Sequence, residues 1–118
     1  MTVHKPEASS GTQPLIVVLP AEIHLANAGI LGRELAAVFV SGIRTIVADL
    51  TGTTFCDSAG TRMLARAYVQ AIDSQIELRL AIPGSAVRRA LELSGLDRVL
   101  PIYPSLDDAL AADTAASA

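Results

Sequence analysis

Ser58 is the residue of this sequence whose type and position most directly suggest chemistry. It stands in the segment Cys56-Asp57-Ser58-Ala59-Gly60, where an apolar run and a short loop give way to a helical pattern. A serine in that place could be a nucleophile, could accept a phosphate, or could cap the helix. Capping by Ser58 or Asp57 would satisfy a free backbone N–H and contribute about 1 kcal/mol. The local pattern leaves these alternatives open.

A serine hydrolase would need further groups around Ser58. Its G-x-S-x-G nucleophile turn also follows a strand and opens a helix, but the first glycine is missing here because Cys56 takes its place. The chain has two histidines, His4 near the start and His24 in a different loop, and it has no HGGG-type oxyanion segment. We therefore expect a protein that is not an enzyme.

Nucleotide and metal sites are also not predicted. The loop TGTTFCDSAG lacks the G-x-x-x-x-G-K-[ST] spacing of a phosphate-binding loop, and Lys5 is the only lysine in the chain. The possible metal ligands His24, Asp49 and Asp57 do not follow a recognised ligand spacing. The sequence predicts no cofactor.

Composition sets the remaining limits. At 118 residues the chain fits one small domain, and its 51% hydrophobic content argues against global disorder. A net charge of −3 and an aromatic content of 3% give no sign of nucleic-acid binding. Neither a secretion signal nor a membrane span is predicted, so we expect a cytoplasmic protein without membrane insertion. The single cysteine, Cys56, is expected to be a buried thiol at the end of a strand.

Four apolar segments of strand length alternate with four helical patterns between a polar leader and a polar tail. The strands are predicted at 15–19, 43–50, 77–82 and 99–103, and the helices at 27–40, 59–73, 85–94 and 105–112. Ser85 is the expected N-cap of the third helix. The domain is expected at 14–112, with a flexible leader at 1–13 and a flexible tail at 113–118. This alternation predicts right-handed crossovers and a largely parallel sheet.

Two loops should meet at one edge of that sheet. Binding sites in parallel sheets favour the carboxyl ends of the strands, where the chain reverses into helices. The segment Glu22-Ile23-His24 follows the first long strand, and Cys56-Asp57-Ser58 follows the second. Both are therefore candidate sites.

The segment VADLTGTTFCDSAGTRML resembles the signature of the STAS domain, which anti-sigma factor antagonists share with the tails of sulphate transporters. Asp49-Leu50, Asp57-Ser58 and Gly60 occupy the positions of that signature. The downstream segment AVRRALELSGLDRVLPIYPSLDDAL is also similar to the family, so that the resemblance covers 15–110. It implies a single α/β domain with a mixed, largely parallel sheet of four to five strands and about four helices. The family's additional N-terminal strand would be missing or formed by residues near 2–7.

The resemblance also implies a function. In stand-alone members, the serine that matches Ser58 is phosphorylated by a partner that is both an anti-sigma factor and a serine kinase. The unphosphorylated form binds this partner and releases a sigma factor, and a protein phosphatase resets the switch. Partner contacts would come from the two loops and the helix start, at Glu22, His24, Asp57, Ser58, Ala59, Gly60, Thr61 and Arg62.

The sequence departs from the family pattern in both loops. Ala21-Glu22-Ile23-His24 stands where the family usually has Gly-Glu-[Ile/Leu]-Asp, so a histidine replaces an acid. Thr61 and Arg62 replace the usual apolar residue and glycine. Arg62 lies one helical turn after Ser58, where it could pair with a phosphate or stand solvated. These changes keep open an alternative, a STAS subunit that docks in a transporter or stress-sensing complex.

Overall fold

The computed structural model describes residues 1–4, 14–40, 42–84 and 86–112, which form a sheet flanked by helices. Within these ranges the strands are β1 (Thr2–His4), β2 (Leu15–Val18), β3 (Glu22–Ile23), β4 (Thr45–Asp49), β5 (Phe55–Cys56), β6 (Glu77–Ala81) and β7 (Ile102–Tyr103). The α-helices are α1 (Leu25–Ala37), α2 (Ser58–Asp73), α3 (Ala86–Leu93) and α4 (Leu106–Ala111). A short 3₁₀ helix, Leu96–Arg98, precedes β7.

The main sheet has the strand order β1-β2-β4-β6-β7. Strand β1 is antiparallel to β2, and every other neighbouring pair is parallel. In the described part of the chain, five strands in a mostly parallel sheet and four α-helices confirm the predicted α/β fold class. Parallel order follows from the chain itself, because a helix carries it back across the sheet between successive long strands.

The two faces of the sheet are covered unequally. Alternate side chains of β4, including Ile46 and Ala48, belong to a core cluster with residues of α1, α2 and α3. The side chain of Val47 points to the other face, where it packs with Ala81 and with Ala109 of α4. All five residues of β4 are buried, because this central strand is covered on both faces.

Arg79 joins α4 to the sheet. Its side chain is 1% exposed, and its Nε donates to Oε2 of Glu77 at 2.9 Å. A guanidinium NH₂ group of Arg79 also donates to the carbonyl oxygen of Ala109 at 2.7 Å. The cation therefore lies near the C-terminal end of α4, where backbone carbonyls carry partial negative charge.

The structure corrects the predicted flexible leader at its first residues. Thr2–His4 form an edge strand, with Val3 opposite Val17, because β2 offers an open edge for pairing. This strand lies within the region expected for the family's additional strand. Residues 5–13, the tail 113–118 and the predicted N-cap Ser85 lie outside the described residues.

The last strand is shorter than predicted. The segment before it forms the 3₁₀ helix, Val99 is 60% exposed, and only Ile102 and Tyr103 pair with β6. Pro101 has no N–H to donate, so regular pairing begins after it.

Candidate functional site

Ser58 is the first residue of α2 and is exposed to solvent. The N-cap is Asp57, whose Oδ1 accepts a hydrogen bond from the backbone N–H of Gly60 at 3.0 Å. Of the two predicted capping residues, Asp57 therefore caps the helix. Within the described residues the Ser58 hydroxyl makes no hydrogen bond, so it is free for chemistry with an external molecule.

The Asp57 carboxylate also serves the start of α1. Its Oδ2 accepts from the backbone N–H of Leu25 at 3.1 Å. The Gly60 hydrogen bond, followed by those of Leu25 and Ala59 and the nearby His24 imidazole, lowers the pKa of Asp57 below its ordinary value, although partial desolvation opposes this. Asp57 is consequently a carboxylate at neutral pH, and it joins the first turns of two helices.

The two candidate loops meet, as the sequence predicts. Strands β3 and β5 pair in parallel, with Ile23 opposite Cys56. The backbone N–H of Asp57 donates to the carbonyl oxygen of Ile23 at 3.1 Å, and that of Thr54 donates to Ala21 at 2.8 Å. Backbone hydrogen bonds therefore fix the position of the Glu22–His24 segment beside Ser58.

His24 lies at the start of α1, where the family usually has an acid. Its backbone N–H donates to Oδ1 of Asn27 at 2.9 Å, while the Asn27 amide donates to the carbonyl oxygen of Glu22 at 2.8 Å. Its Nε2 lies 3.9 Å from Oε1 of Glu22, which permits an ion pair when the imidazole is protonated. Asn27 thus holds the turn, and the His24 side chain is partly exposed at the site.

Gly60 allows α2 to begin close to the β3–β5 pair. A Cβ atom at this position would lie 2.6 Å from Sγ of Cys56 and 2.9 Å from Cγ2 of Ile23. Such distances are far shorter than van der Waals contact, so only glycine fits without movement. The buried Cys56 confirms the expectation of a strand-end thiol.

The other residues that were predicted to contact a partner differ in their exposure to solvent. Glu22 and Arg62 are exposed and Ala59 is partly exposed, so a partner at Ser58 could reach all three. Thr61 is 5% exposed, and its hydroxyl donates to the carbonyl oxygen of Ser58 at 3.0 Å. Its side chain therefore supports the first turn of α2 from within and is not accessible to a partner in this conformation.

Two exposed apolar side chains beside the site were missed by sequence reasoning. Leu25 is 81% exposed at the start of α1, and Phe55 is 48% exposed in β5. The backbone N–H of Leu25 donates to the Asp57 carboxylate, and Phe55 precedes Asp57 by two residues in the chain. Their exposure has no direct signal in the sequence, because an apolar residue in a helix or strand is normally expected to face the core. Exposed apolar residues around a polar centre are typical of a protein–protein contact.

The described residues offer little for other chemistry at this place. They contain no group of three or more His, Cys, Asp or Glu side chains arranged to hold a metal ion. None of their helices has the length and apolar character that a transmembrane segment requires. What these residues provide is a free hydroxyl at a helix N-terminus, with the Asp57 carboxylate and exposed apolar side chains near it.

Comparison with known proteins gives a consistent result. The family model of the STAS domain matches residues 5–109. The anti-sigma-F factor antagonist RsfB of Mycobacterium tuberculosis is 30% identical over 95 residues, which cover 80% of this chain and 77% of that protein.

Solved structures show the same similarity. An anti-sigma factor antagonist from Mycobacterium paratuberculosis superposes with a TM-score of 0.78 at 30% identity, covering 92% of this chain and 88% of that one. A sulfate transporter family protein from Wolinella succinogenes superposes with a TM-score of 0.72 over 86% of this chain and 83% of that one. Its identity is 16%, so this second likeness concerns the fold alone.

Proposed function

Because this chain belongs to the STAS domain family, we propose that it is an anti-sigma factor antagonist regulated by phosphorylation of Ser58. Unphosphorylated, it binds an anti-sigma factor that has serine kinase activity, and this binding releases a sigma factor. The observation that carries the proposal is the free, exposed Ser58 hydroxyl at the start of α2, with Asp57 as the cap beside it.

The geometry suits phosphoryl acceptance from a bound kinase. The Ser58 oxygen forms a new bond to the γ-phosphorus of ATP, the bond from that phosphorus to ADP breaks, and a base of the kinase takes the hydroxyl proton. Because Asp57 performs the capping, Ser58 gives up no hydrogen bond within the described residues when it is modified. The positive end of the helix dipole tolerates the added charge, so the domain is expected to remain folded.

The same phosphate would oppose partner binding. It adds a charge of about −1.5 to −2 at the first residue of α2. The Asp57 carboxylate is already adjacent, and exposed Leu25 and Phe55 make the surroundings suitable for an apolar contact. Burying that charge against a partner shaped for a neutral hydroxyl costs several kcal/mol unless the charge is paired. A protein phosphatase would reverse the modification and restore binding.

A second candidate is a STAS subunit that docks in a transporter or stress-sensing complex without phosphorylation. It is favoured by His24, which stands where the family usually has an acid at the binding surface. The phosphorylation experiment separates it from the first candidate.

The test uses the purified chain, its cognate anti-sigma kinase and ATP. We expect one phosphate per chain, mapped to Ser58 by mass spectrometry, and none on Ser58→Ala. Ser58→Asp should keep the melting temperature of the wild type but bind the kinase roughly 100-fold more weakly, while Ser58→Ala should bind constitutively. Phosphate on Thr54 instead, or full affinity in Ser58→Asp, would exclude the switch and favour the docking subunit.

A further inference from the structure

A groove of about 480 Å³ runs between α1 and α2. Small residues of α1, among them Ala28 and Gly32, line it together with Met63 of α2. Gly32 allows Met63 to pack closely against α1, since a Cβ at the Gly32 position would lie only 3.2 Å from the Met63 side chain. The groove has an apolar floor and is open to solvent on one side.

Three arginines border this groove. Arg33 comes from α1, while Arg62 and Arg66 come from successive turns of α2. All three are exposed, and among the described residues none of them forms an ion pair or hydrogen bond. Among the residues that the structure describes, no acidic side chain lines the groove, although the whole chain carries a net charge of −3. Like charges at i and i+4 repel, so Arg62 and Arg66 gain nothing from each other.

One end of the groove lies next to Ser58, the proposed phosphorylation site. Leu25 and Ala59 belong to its lining, and they flank the capped turn that carries Ser58. A partner that covers Ser58 therefore also covers this end of the groove.

We propose that the groove between α1 and α2 binds an acidic, amphipathic segment of the anti-sigma partner, an inference that rests on the proposed function. Carboxylates of the segment pair with Arg33, Arg62 and Arg66, and its apolar side chains lie on the floor formed with Met63. Guanidinium groups favour carboxylates because their geometries match. A protein segment fits better than a small anionic amphiphile, because small-molecule sites enclose most of their ligand and this groove is open.

This arrangement gives phosphorylation a second effect. Ser58 and Arg62 are at i and i+4 on α2, so a phosphate on Ser58 competes with the partner segment for Arg62. The phosphate also repels the acidic residues of that segment. Both effects weaken the same complex.

A synthetic probe tests the groove without the kinase. The probe is a fluorescein-labelled helical peptide with glutamate on one face and leucine on the other, and its control has glutamine in place of glutamate. Fluorescence anisotropy should show that the wild type binds the acidic probe roughly tenfold more tightly than the glutamine peptide. This difference in affinity should become smaller at high salt, which screens the charges. The double variant Arg62→Glu/Arg66→Glu should lose roughly tenfold in affinity for the acidic probe. Arg98→Glu, a matched charge reversal of an exposed arginine outside the groove, should stay within about twofold.

The same variants with the kinase separate the two proposals. If wild type is phosphorylated on Ser58 but the double variant binds the kinase and the probe unchanged, the groove proposal is wrong and the proposed function stands. If the probe binds through the arginines but Ser58 accepts no phosphate, the proposed function fails and the groove remains an acidic-segment site. Equal affinity of the wild type and all variants for the acidic probe would overturn the groove proposal. Displacement of the probe by laurate at a concentration equal to that of the probe would also overturn it.

Discussion

The position of Cys56 in the fold lowers the reactivity of its thiol. Burial at the end of β5 is the main cause that raises the pKa of its thiol to about 11, and the Asp57 charge adds to it. The thiolate is the reactive form, and both causes disfavour it. A redox role for this cysteine is therefore not indicated by its surroundings.

Alkylation of Cys56 in the folded protein should be slow. The rise in pKa from 9.0 to about 11 lowers the thiolate fraction at pH 8 about 100-fold, so iodoacetamide should react roughly 100-fold more slowly than with an exposed thiol. The rate should keep rising with pH up to about 11 instead of levelling near 9.0. Mass spectrometry of timed samples measures it, and the same reaction in guanidinium provides the unfolded control. Rapid labelling of the native protein would contradict the buried assignment.

At the scale of elements, the seating of α2 on the β3–β5 pair depends on one glycine. Gly60 is buried, and its missing side chain leaves space that Cys56 and Ile23 fill. The first turn of α2 can therefore approach the small sheet closely enough for Asp57 to reach the start of α1. Gly60 therefore helps to position the turn that carries Asp57 and Ser58.

Gly60→Ala should destabilise the domain by about 1–3 kcal/mol, since the added methyl meets atoms that cannot move freely. Gly52→Ala is the matched control, because a Cβ at that exposed loop position meets nothing within 4 Å, and its effect should stay within about 0.5 kcal/mol. Urea unfolding followed by circular dichroism gives both values. A Gly60→Ala variant as stable as Gly52→Ala would show that α2 can shift without loss.

Most elements of the main sheet and all four helices could be predicted from sequence, whereas the strands β3 and β5 could not. Apolar runs and helical spacing marked the strands β2, β4 and β6 and all four helices. Strands β3 and β5 have two residues each, which is too short for a periodic pattern, and they form only because the folded chain brings them together. Ile30 and Ile72 also fall on the apolar helical spacing of α1 and α2, yet they are 54% and 55% exposed. Helical period fixes which residues share a face but not how wide the covered face is.

At the scale of the whole molecule, the uneven coverage of the sheet makes the stability of one face depend on α4. Within the described ranges, residues of α1, α2 and α3 share one core cluster, whereas on the other face α4 is the one helix that contributes to the cluster of Val47, Ala81 and Ala109. That helix has six residues and is too short to be stable alone. Arg79 holds it through the carbonyl oxygen of Ala109.

Arg79→Met should lower the free energy of unfolding by about 1–3 kcal/mol, because it leaves a buried carbonyl oxygen without its donor. Arg98→Met removes an exposed arginine from the 3₁₀ helix and should change stability by less than about 0.5 kcal/mol. Thermal unfolding of the two variants beside wild type makes the comparison. Equal melting temperatures would mean that apolar packing alone retains α4.

The part of the candidate site that could be predicted is the meeting of its two loops, because the topology of the parallel strands alone determines it. The rule for parallel strands placed the Glu22–His24 and Cys56–Ser58 loops at one edge, and the structure pairs them. The groove was not predictable, because Arg33 and the pair Arg62 and Arg66 come from different helices. Their proximity depends on how α1 and α2 pack, which a single sequence does not specify.

The shared cap at Asp57 has a further consequence for how the domain opens. The amide hydrogens of Leu25 and Gly60 are far apart in sequence, yet they are held by the two oxygens of one carboxylate. Any local opening that frees one of them disturbs the acceptor of the other, so the two amides should exchange with deuterium from solvent as one unit. A protein bound at either helix start would slow the exchange of both.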